Sequence, residues 1–441
     1  MGAYTLIPIA DPPDLLALAS ADPVAFPYLL ESVTAPANQR FDILFAWPGE
    51  LRILSNLPGY VDGARVAAFL NELDGWLKPD LSESCGLPFC GGWFVYLGYE
   101  CAAGIEPRLR MPAHQSAFPL AFAQRMHGAI IRDHRDGSCC FVVEEGFQPP
   151  PLPLAASAFS EFPDVELSED PPAAFIAGVA TIRAHIAAGD VFQVNLSRAM
   201  RADLAQAHAC ALYRRLRQSN PAPFAGLIQR PEGAVLSSSP ERLIEVADRI
   251  ASTRPIAGTR PRTHGSDETV SAELLTHPKE RAEHIMLIDL ERNDLGRVCE
   301  TGSIEVTELM AIERYAHVIH IVSGVRGRLR AEVSPIQALK AVFPGGTITG
   351  CPKVRCMQII SAIEQTGRGP YTGSMGYLSR DGRMDFNILI RTMLLSDSKL
   401  EFRTGAGIVT DSEADLELAE TRAKALGLVN ALKTPEMSSR R

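Results

Sequence analysis

Apolar residues over roughly the first 145 positions come in short bursts separated by turns. "RFDILFAW" and "GGWFVYLGYE" are rich in aromatic and β-branched residues and predict strands. "VAAFLNELDGWL" spaces its apolar positions three and four apart and predicts a helix. The texture changes over 147–172, "FQPPPLPLAASAFSEFPDVELSEDPP", where proline, serine and acid displace any periodic apolar pattern. Proline removes backbone donors there, so the stretch reads as a connector. The pattern divides the chain into an N-terminal lobe (1–146), the connector (147–172), a larger region (173–433) and a tail (434–441) expected to be disordered.

In the larger region, "AAFIAGVATIRAHIAAGDVFQVNLSR" predicts an amphipathic helix that stops at Gly189-Asp190 and gives way to a strand. "GAVLSSSPERLIEVADRIAST" reads as strands broken by a serine-rich turn. "SAELLTHPKERAEHIMLIDLERNDLGRV" predicts one long helix, with Ile285, Ile288 and Leu290 behind an acidic face. "GYLSRDGRMDFNILIRTMLLSDSKLEFRTGAGIV" predicts three antiparallel strands with turns at Asp381-Gly382 and around Asp397. "DLELAETRAKALGLVNAL" predicts a closing helix.

Composition narrows the classes. A chain of 441 residues, 46% hydrophobic, is long enough for two or three domains or one large fused body. A net charge of −9 argues against a nucleic-acid surface, which needs clustered cations. Nine scattered cysteines fit reduced thiols better than a disulfide scaffold. The start, "MGAYTLIPIADPPD", lacks a basic, apolar leader, and no run reaches the length of a membrane helix. A cytoplasmic protein with no membrane role is expected.

Several residues are candidates for chemistry, each with an ordinary alternative. Glu280 and Glu283, and again Glu417 and Glu420, stand three apart and share helical faces. Brought together, the faces would offer hard oxygen ligands to Mg²⁺; alone, they are solvated faces, with Glu420 and Lys424 as an ion pair. "FPGGTITGCPK" lacks the Lys-Ser/Thr of a phosphate loop but predicts a glycine-rich strand-to-helix turn able to hold a carboxylate. "RTGAGIV" predicts a second turn through Gly405 and Gly407. His320 sits in an apolar run, as a core histidine or a catalyst. Glu241 follows Pro240 at an expected strand corner, where burial would keep it protonated as a general acid, or else it marks a surface turn.

The segments "HIAAGDVFQVNLSR", "SSSPERL", "PIAGTRPR", "KERAEHIMLIDLERNDLGRV", "HVIHIVSGV", "FPGGTITGCPK", "YTGSMGYL", "NILIRT" and "GAGIVTDSEADLELAET" together resemble, in this order, the chorismate-utilising enzymes. The resemblance is strong over about 173–430 and weaker before that. It implies an α+β fold, a two-lobed antiparallel sandwich flanked by helices with the site between the sheets. It also implies Mg²⁺ held by Glu283 and Glu420, with Glu280 and Glu417 nearby, and Glu241 as the acid for the departing C4 hydroxyl. Tyr371, Arg391, Lys424 and the backbone of Gly405, Ala406 and Gly407 match groups that hold the substrate carboxylates. His320 and Thr347 match ring-site residues. Ala257, Gly258 and Thr259 of "PIAGT" fall in the catalytic segment. Gln193 stands where water-using members carry lysine; a neutral amide cannot serve as that base, so ammonia is the implied nucleophile.

Two products remain in view. "PIAGT", with Ala257, and "YLLES" resemble anthranilate synthases. "NQRFDILFA", "NPAPFAGLI", "SPERL" with Arg242, and "MDFNILIRT" lean towards aminodeoxychorismate synthases, and Ala225 removes a methionine expected beside a tryptophan feedback pocket. The balance favours component I of aminodeoxychorismate synthase, lacking the lysine that others use to form a covalent adduct. Arg254, Arg260 and Arg262 are expected to brace their loop. No glutaminase nucleophile motif is present, so a separate glutamine amidotransferase subunit is expected to supply ammonia. A non-catalytic chorismate-binding regulator is the alternative of another class.

Overall fold

A computed structural model describes residues 4–34, 40–80, 86–148, 152, 162–261, 267–276, 278–314 and 318–433. The tail and most of the proline-rich connector lie outside the described residues. Strands and helices are mixed, and every strand pairing is antiparallel, as the α+β expectation requires.

The sheet has two arms that share one long antiparallel strand pair, Phe41–Leu54 against Ala121–Asp133. One arm runs from Phe41–Leu54 through Tyr28–Glu31, Phe224–Arg230, Gly233–Ser239, Thr392–Ser396 and Lys399–Ile408 to Gln193–Asp203. The other runs from Ala121–Asp133 through Gly92–Leu97, Ser374–Ser379, Met384–Asn387, Arg242–Ala247 and Ile250–Thr253 to Val318–Arg328. Strands from the first 146 residues therefore pair directly with strands from the larger region.

Two direct strand-to-strand crossings between the arms lie side by side. One crossing lies between Ser239 and Arg242, the other between Asn387 and Thr392. Ile388 N donates to the Glu241 carbonyl at 3.0 Å and Ser238 N to the Arg391 carbonyl at 3.1 Å, so the crossings are bonded to each other. This break, with Arg391 at a φ of 51°, divides the expected three-strand run into four strands.

Further expectations are corrected. The long helix is two, Asp267–Thr276 and Pro278–Gly296, because proline cannot continue the hydrogen-bond ladder of the first and suits the first turn of the second. Ile285 is 44% exposed, whereas Ile288 and Leu290 are buried. "FPGGTITGCPK" follows the helix Pro335–Val342, passes through the short turn Gly346–Ile348, and enters the helix Lys353–Glu364 from the two-residue strand Gly350–Cys351, as the expected strand-to-helix turn. The first of these starts at a capping box between Ser334 and Gln337, with proline in its first turn.

Gly405 and Gly407 lie inside the strand Lys399–Ile408 and not in a turn; they pair with Ser197 and Asn195. These two strands form the floor of the site. Val194, Leu196, Ala406 and Ile408 turn one way, into an apolar cluster with Phe175, Ile359 and Leu418. Alternation then puts Gln193, Asn195, Ser197, Gly405 and Gly407 on the opposite face.

On the same face as Ser197, whose hydroxyl donates to it at 2.8 Å, Glu364 is fully enclosed. Its carboxylate accepts from Ser197 N at 2.9 Å, Arg368 Nη2 at 2.7 Å and Arg403 Nη2 at 3.2 Å. Burial alone would raise this carboxyl, but Arg368 and Arg403 reverse the effect and hold it below its ordinary value. Glu364→Ala would leave two buried arginines without a counter-charge and should cost about 3–5 kcal/mol of stability by urea unfolding. The wild-type advantage should shrink as the pH falls below the ordinary carboxylate range, because protonation of Glu364 discards the same interaction.

Candidate functional site

Glu241 sits at the first crossing and is 6% exposed. Its carboxyl is pushed up to about 7 by burial, against the opposing pull of the Thr347 hydroxyl, the Ile256 amide, Arg391 and Lys424. Thr347 Oγ1 is buried beside it without a well-formed hydrogen bond. A carboxyl of this kind is protonated in a substantial fraction of molecules at neutral pH and can donate a proton.

Arg391 stands at the second crossing. Burial lowers its affinity for a proton and Glu241 restores part of it. Among the described residues no carboxylate comes within ion-pair distance of it, so its guanidinium is available to an anion. His320, on the strand Val318–Arg328, is pushed down to about 4 by burial and by Arg391, while a bond with the Gly258 backbone pulls the other way. The imidazole is neutral at neutral pH.

The floor adds a second group. Gln193 Nε2 donates to Glu283 Oε1 at 2.7 Å. A side-chain carbon on Gly407 would lie 2.4 Å from that Nε2, so the glycine makes room for the amide. Lys424 Nζ pairs with Glu420 at 2.7 Å and donates to the Gly405 carbonyl at 3.2 Å. Tyr371 is buried at the same floor, with its hydroxyl pushed up to about 12 by burial and the Arg368 guanidinium 5.5 Å from its ring centre. The hydroxyl therefore stays protonated as a donor.

The structure thus gathers Glu241, Thr347, Arg391, Lys424, His320 and Gly258 at the crossings, and Gln193, Glu283, Gly405, Ala406, Gly407, Tyr371 and Glu420 along the floor. Glu417 is half-buried one turn before Glu420. The backbone of Ala257 pairs with Ile321 and that of Thr259 with His320. The side chains of Ala257, Thr259 and Glu280 lie outside the described residues, as do the Arg260 side chain and Arg262. Arg254 pairs with Glu308 at 2.8 Å and Glu313 at 2.6 Å, which makes it a brace.

Glu283 and Glu420 come from different helices and approach the same floor, each carboxylate already turned by a nitrogen donor. Among the described residues no three acidic, His or Cys side chains enclose a cation position. Carboxylate oxygens are the ligand type Mg²⁺ takes, and that ion needs few of them from the protein, so Glu283 and Glu420 are the residues that could hold one.

Sequence reasoning passed over Glu291, which is buried and pushed up to about 8 by burial and then by Asp294; the Glu241 carboxyl adds to the shift. It also passed over the Glu364–Arg368 pair. Nothing in their local spacing separates these residues from a solvated helix face; their burial is tertiary.

A cavity of about 200 Å³ opens behind the first crossing, lined by Glu31, Ser32, Phe224, Ala225, Arg242 and Asn387 among others. The "LLES" and "RFDI" segments meet at its wall. Asp42 accepts from Ser32 N at 2.8 Å, and Ser32 Oγ donates to the Pro223 carbonyl at 3.2 Å.

Residues 52–430 match the family profile described as chorismate binding enzyme. An anthranilate synthase component I-like protein of Synechocystis is 41% identical over 395 residues, covering 83% of this chain and 79% of that protein. Aminodeoxychorismate synthase component 1 of Bacillus subtilis is 38% identical over 368 residues, covering 79% and 78%. The crystal structure of anthranilate synthase component I from Streptococcus pneumoniae superposes with a TM-score of 0.78 at 32% identity, covering 90% of this chain and 93% of that one. With its fold, its buried acid and the matched span in agreement, the chain belongs to the chorismate-binding enzyme family.

Proposed function

We propose that this chain is component I of an aminodeoxychorismate synthase, converting chorismate and ammonia to 4-amino-4-deoxychorismate for p-aminobenzoate synthesis. The observation that carries the ammonia-using part of this reading is Gln193, a neutral amide bonded to Glu283 on the site floor. It cannot strip a proton from water, so the nucleophile is one that already carries a lone pair at nitrogen.

In this reading Arg391, Tyr371 and Lys424 hold the substrate carboxylates, and His320 and Thr347 border the ring. Ammonia adds at C2 while Glu241 gives its proton to the C4 hydroxyl, which leaves as water; the proton shed by the new amine returns to Glu241. A second ammonia adds at C4 as the C2 amine takes the proton back from Glu241 and departs as ammonia; the proton shed by the new C4 amine restores Glu241. Glu283 and Glu420 would hold Mg²⁺, with Glu280 and Glu417 nearby; when bound, the ion would neutralise the ring carboxylate and draw electron density through the diene. Ammonia would come from a glutamine amidotransferase subunit, in keeping with relatives named as component 1 of their synthases.

The choice of product rests on resemblance. Ala225, and Asp42 in "RFDI", fall in segments that lean towards aminodeoxychorismate synthases, whereas Ser32, whose amide Asp42 accepts from, belongs to the "YLLES" segment that resembles anthranilate synthases. Anthranilate synthase is the second reading, favoured by Ala257 within "PIAGT" and by the Synechocystis and Streptococcus relatives.

Incubation with chorismate, Mg²⁺ and excess ammonium, with and without an aminodeoxychorismate lyase, decides between them. Lyase-dependent p-aminobenzoate is expected; anthranilate formed without the lyase would overturn the product assignment. Glu241→Gln should lower kcat by about 10²–10⁴-fold, the usual worth of a general acid. Because the raised Glu241 carboxyl must be protonated to act, kcat/KM for chorismate at constant free ammonia should fall as the pH rises through about 7. A profile flat to pH 9 would remove Glu241 from the proton-donating role.

A further inference from the structure

We infer that Asn195 is a substrate-binding residue, its carboxamide hydrogen-bonding the bound substrate beside Tyr371. The inference rests on the chorismate reading above and adds a contact to it.

Asn195 lies on the strand Gln193–Asp203, two residues after Gln193 and two before Ser197, so all three share the face opposite the apolar cluster. Its backbone is clamped on both sides. Asn195 N donates to the Thr349 carbonyl at 3.0 Å, and Arg368 Nη2 donates to the Asn195 carbonyl at 2.8 Å. The first bond ties it to the turn that carries Thr347, and the second to the loop that carries Tyr371.

The side chain has a different status. Asn195 Oδ1 is buried and has no hydrogen-bond partner among the described residues. A side-chain carbon built on Gly405 would stand 2.5 Å from this oxygen and 2.7 Å from Tyr371 Oη. The two polar atoms therefore border the same bare stretch of backbone, whose carbonyl is held by Lys424. Buried polar atoms are nearly always paired, and an unpaired amide oxygen loses the hydrogen bonds it made to water. An oxygen-rich ligand lying over Gly405 would pair both ends of the carboxamide and take the Tyr371 hydroxyl as a donor. Chorismate, with two carboxylates and a hydroxyl, has such groups. Glycine at 405 is what keeps the space between Asn195 and Tyr371 open.

The test is calorimetric titration of chorismate into the full-length protein in Mg²⁺-containing, ammonium-free buffer, where no amination can occur. Asn195→Ala should weaken binding about tenfold, the worth of one hydrogen bond to a charged or buried group. Asn195→Asp, which sets a negative charge beside a dianionic ligand, should weaken it further, with a thermal midpoint close to wild type in both. If Asn195→Ala does not yield folded protein, Asn195→Ser carries the same comparison. Wild-type affinity in these variants would overturn the contact while leaving the chorismate reading intact. No chorismate binding by the wild-type protein would overturn both.

Discussion

At Ser239–Arg242 and again at Asn387–Thr392 the chain leaves one arm of the sheet and enters the other, and the two crossings are hydrogen-bonded to each other. A strand that changes sheets must expose backbone groups at the corner. Here the neighbouring corner satisfies them. The arrangement also fixes where two opposite charges stand, since Glu241 occupies one corner and Arg391 the other. Neither side chain is free to choose its depth, because each belongs to a backbone anchored in two strands. The raised Glu241 carboxyl follows from this geometry, as does an Arg391 guanidinium that no carboxylate among the described residues reaches within ion-pair distance.

The same placement explains why polar side chains are tolerated in so buried a region. Ser237, Ser238 and Ser239 are almost wholly enclosed, and each hydroxyl finds a partner: Thr392, Asn220 and Ile388. Hydroxyls close the crossing without adding charge, so the local field is left to Glu241, Arg391 and Lys424. Glu364 does the complementary work at the Ser197 end of the floor, where two arginines and one carboxylate lock the strand Gln193–Asp203 to the Tyr371 loop.

Much of the fold was legible locally. The helices at 172–187 and 414–432 and the strand at 193–203 follow from spacing and from breakers such as Gly189-Asp190. The errors share one cause: local pattern does not report partners. Gly405 and Gly407 look like a turn because glycine usually means one, yet they are strand residues emptied of side chains so that Gln193 and Asn195 have space. Individually, Glu241, Glu283, Arg391 and Lys424 could each have been ordinary surface charges. The ordered resemblance of nine segments brought them forward together, and pairing of the two arms is what sets Glu241 beside Arg391 and Gln193 on Glu283. Glu291 and Glu364 stayed hidden because burial by distant strands leaves no trace in their own neighbourhood.

The pairing of early with late strands also bears on how the molecule is made. Strand Gly92–Leu97 waits for Ser374–Ser379, and the Cys90 amide reaches a hydroxyl 289 residues further along. Contacts this remote in sequence require large loops to close before they are rewarded, which slows folding. During synthesis the N-terminal strands leave the ribosome with one edge of their hydrogen bonds unsatisfied and much of their apolar surface uncovered. They remain so until the strand Ser374–Ser379 has emerged. The pocket chemistry comes into being only once Lys399–Ile408 has paired with Gln193–Asp203 and the helix Ala414–Leu432 has brought Glu420 and Lys424 to it.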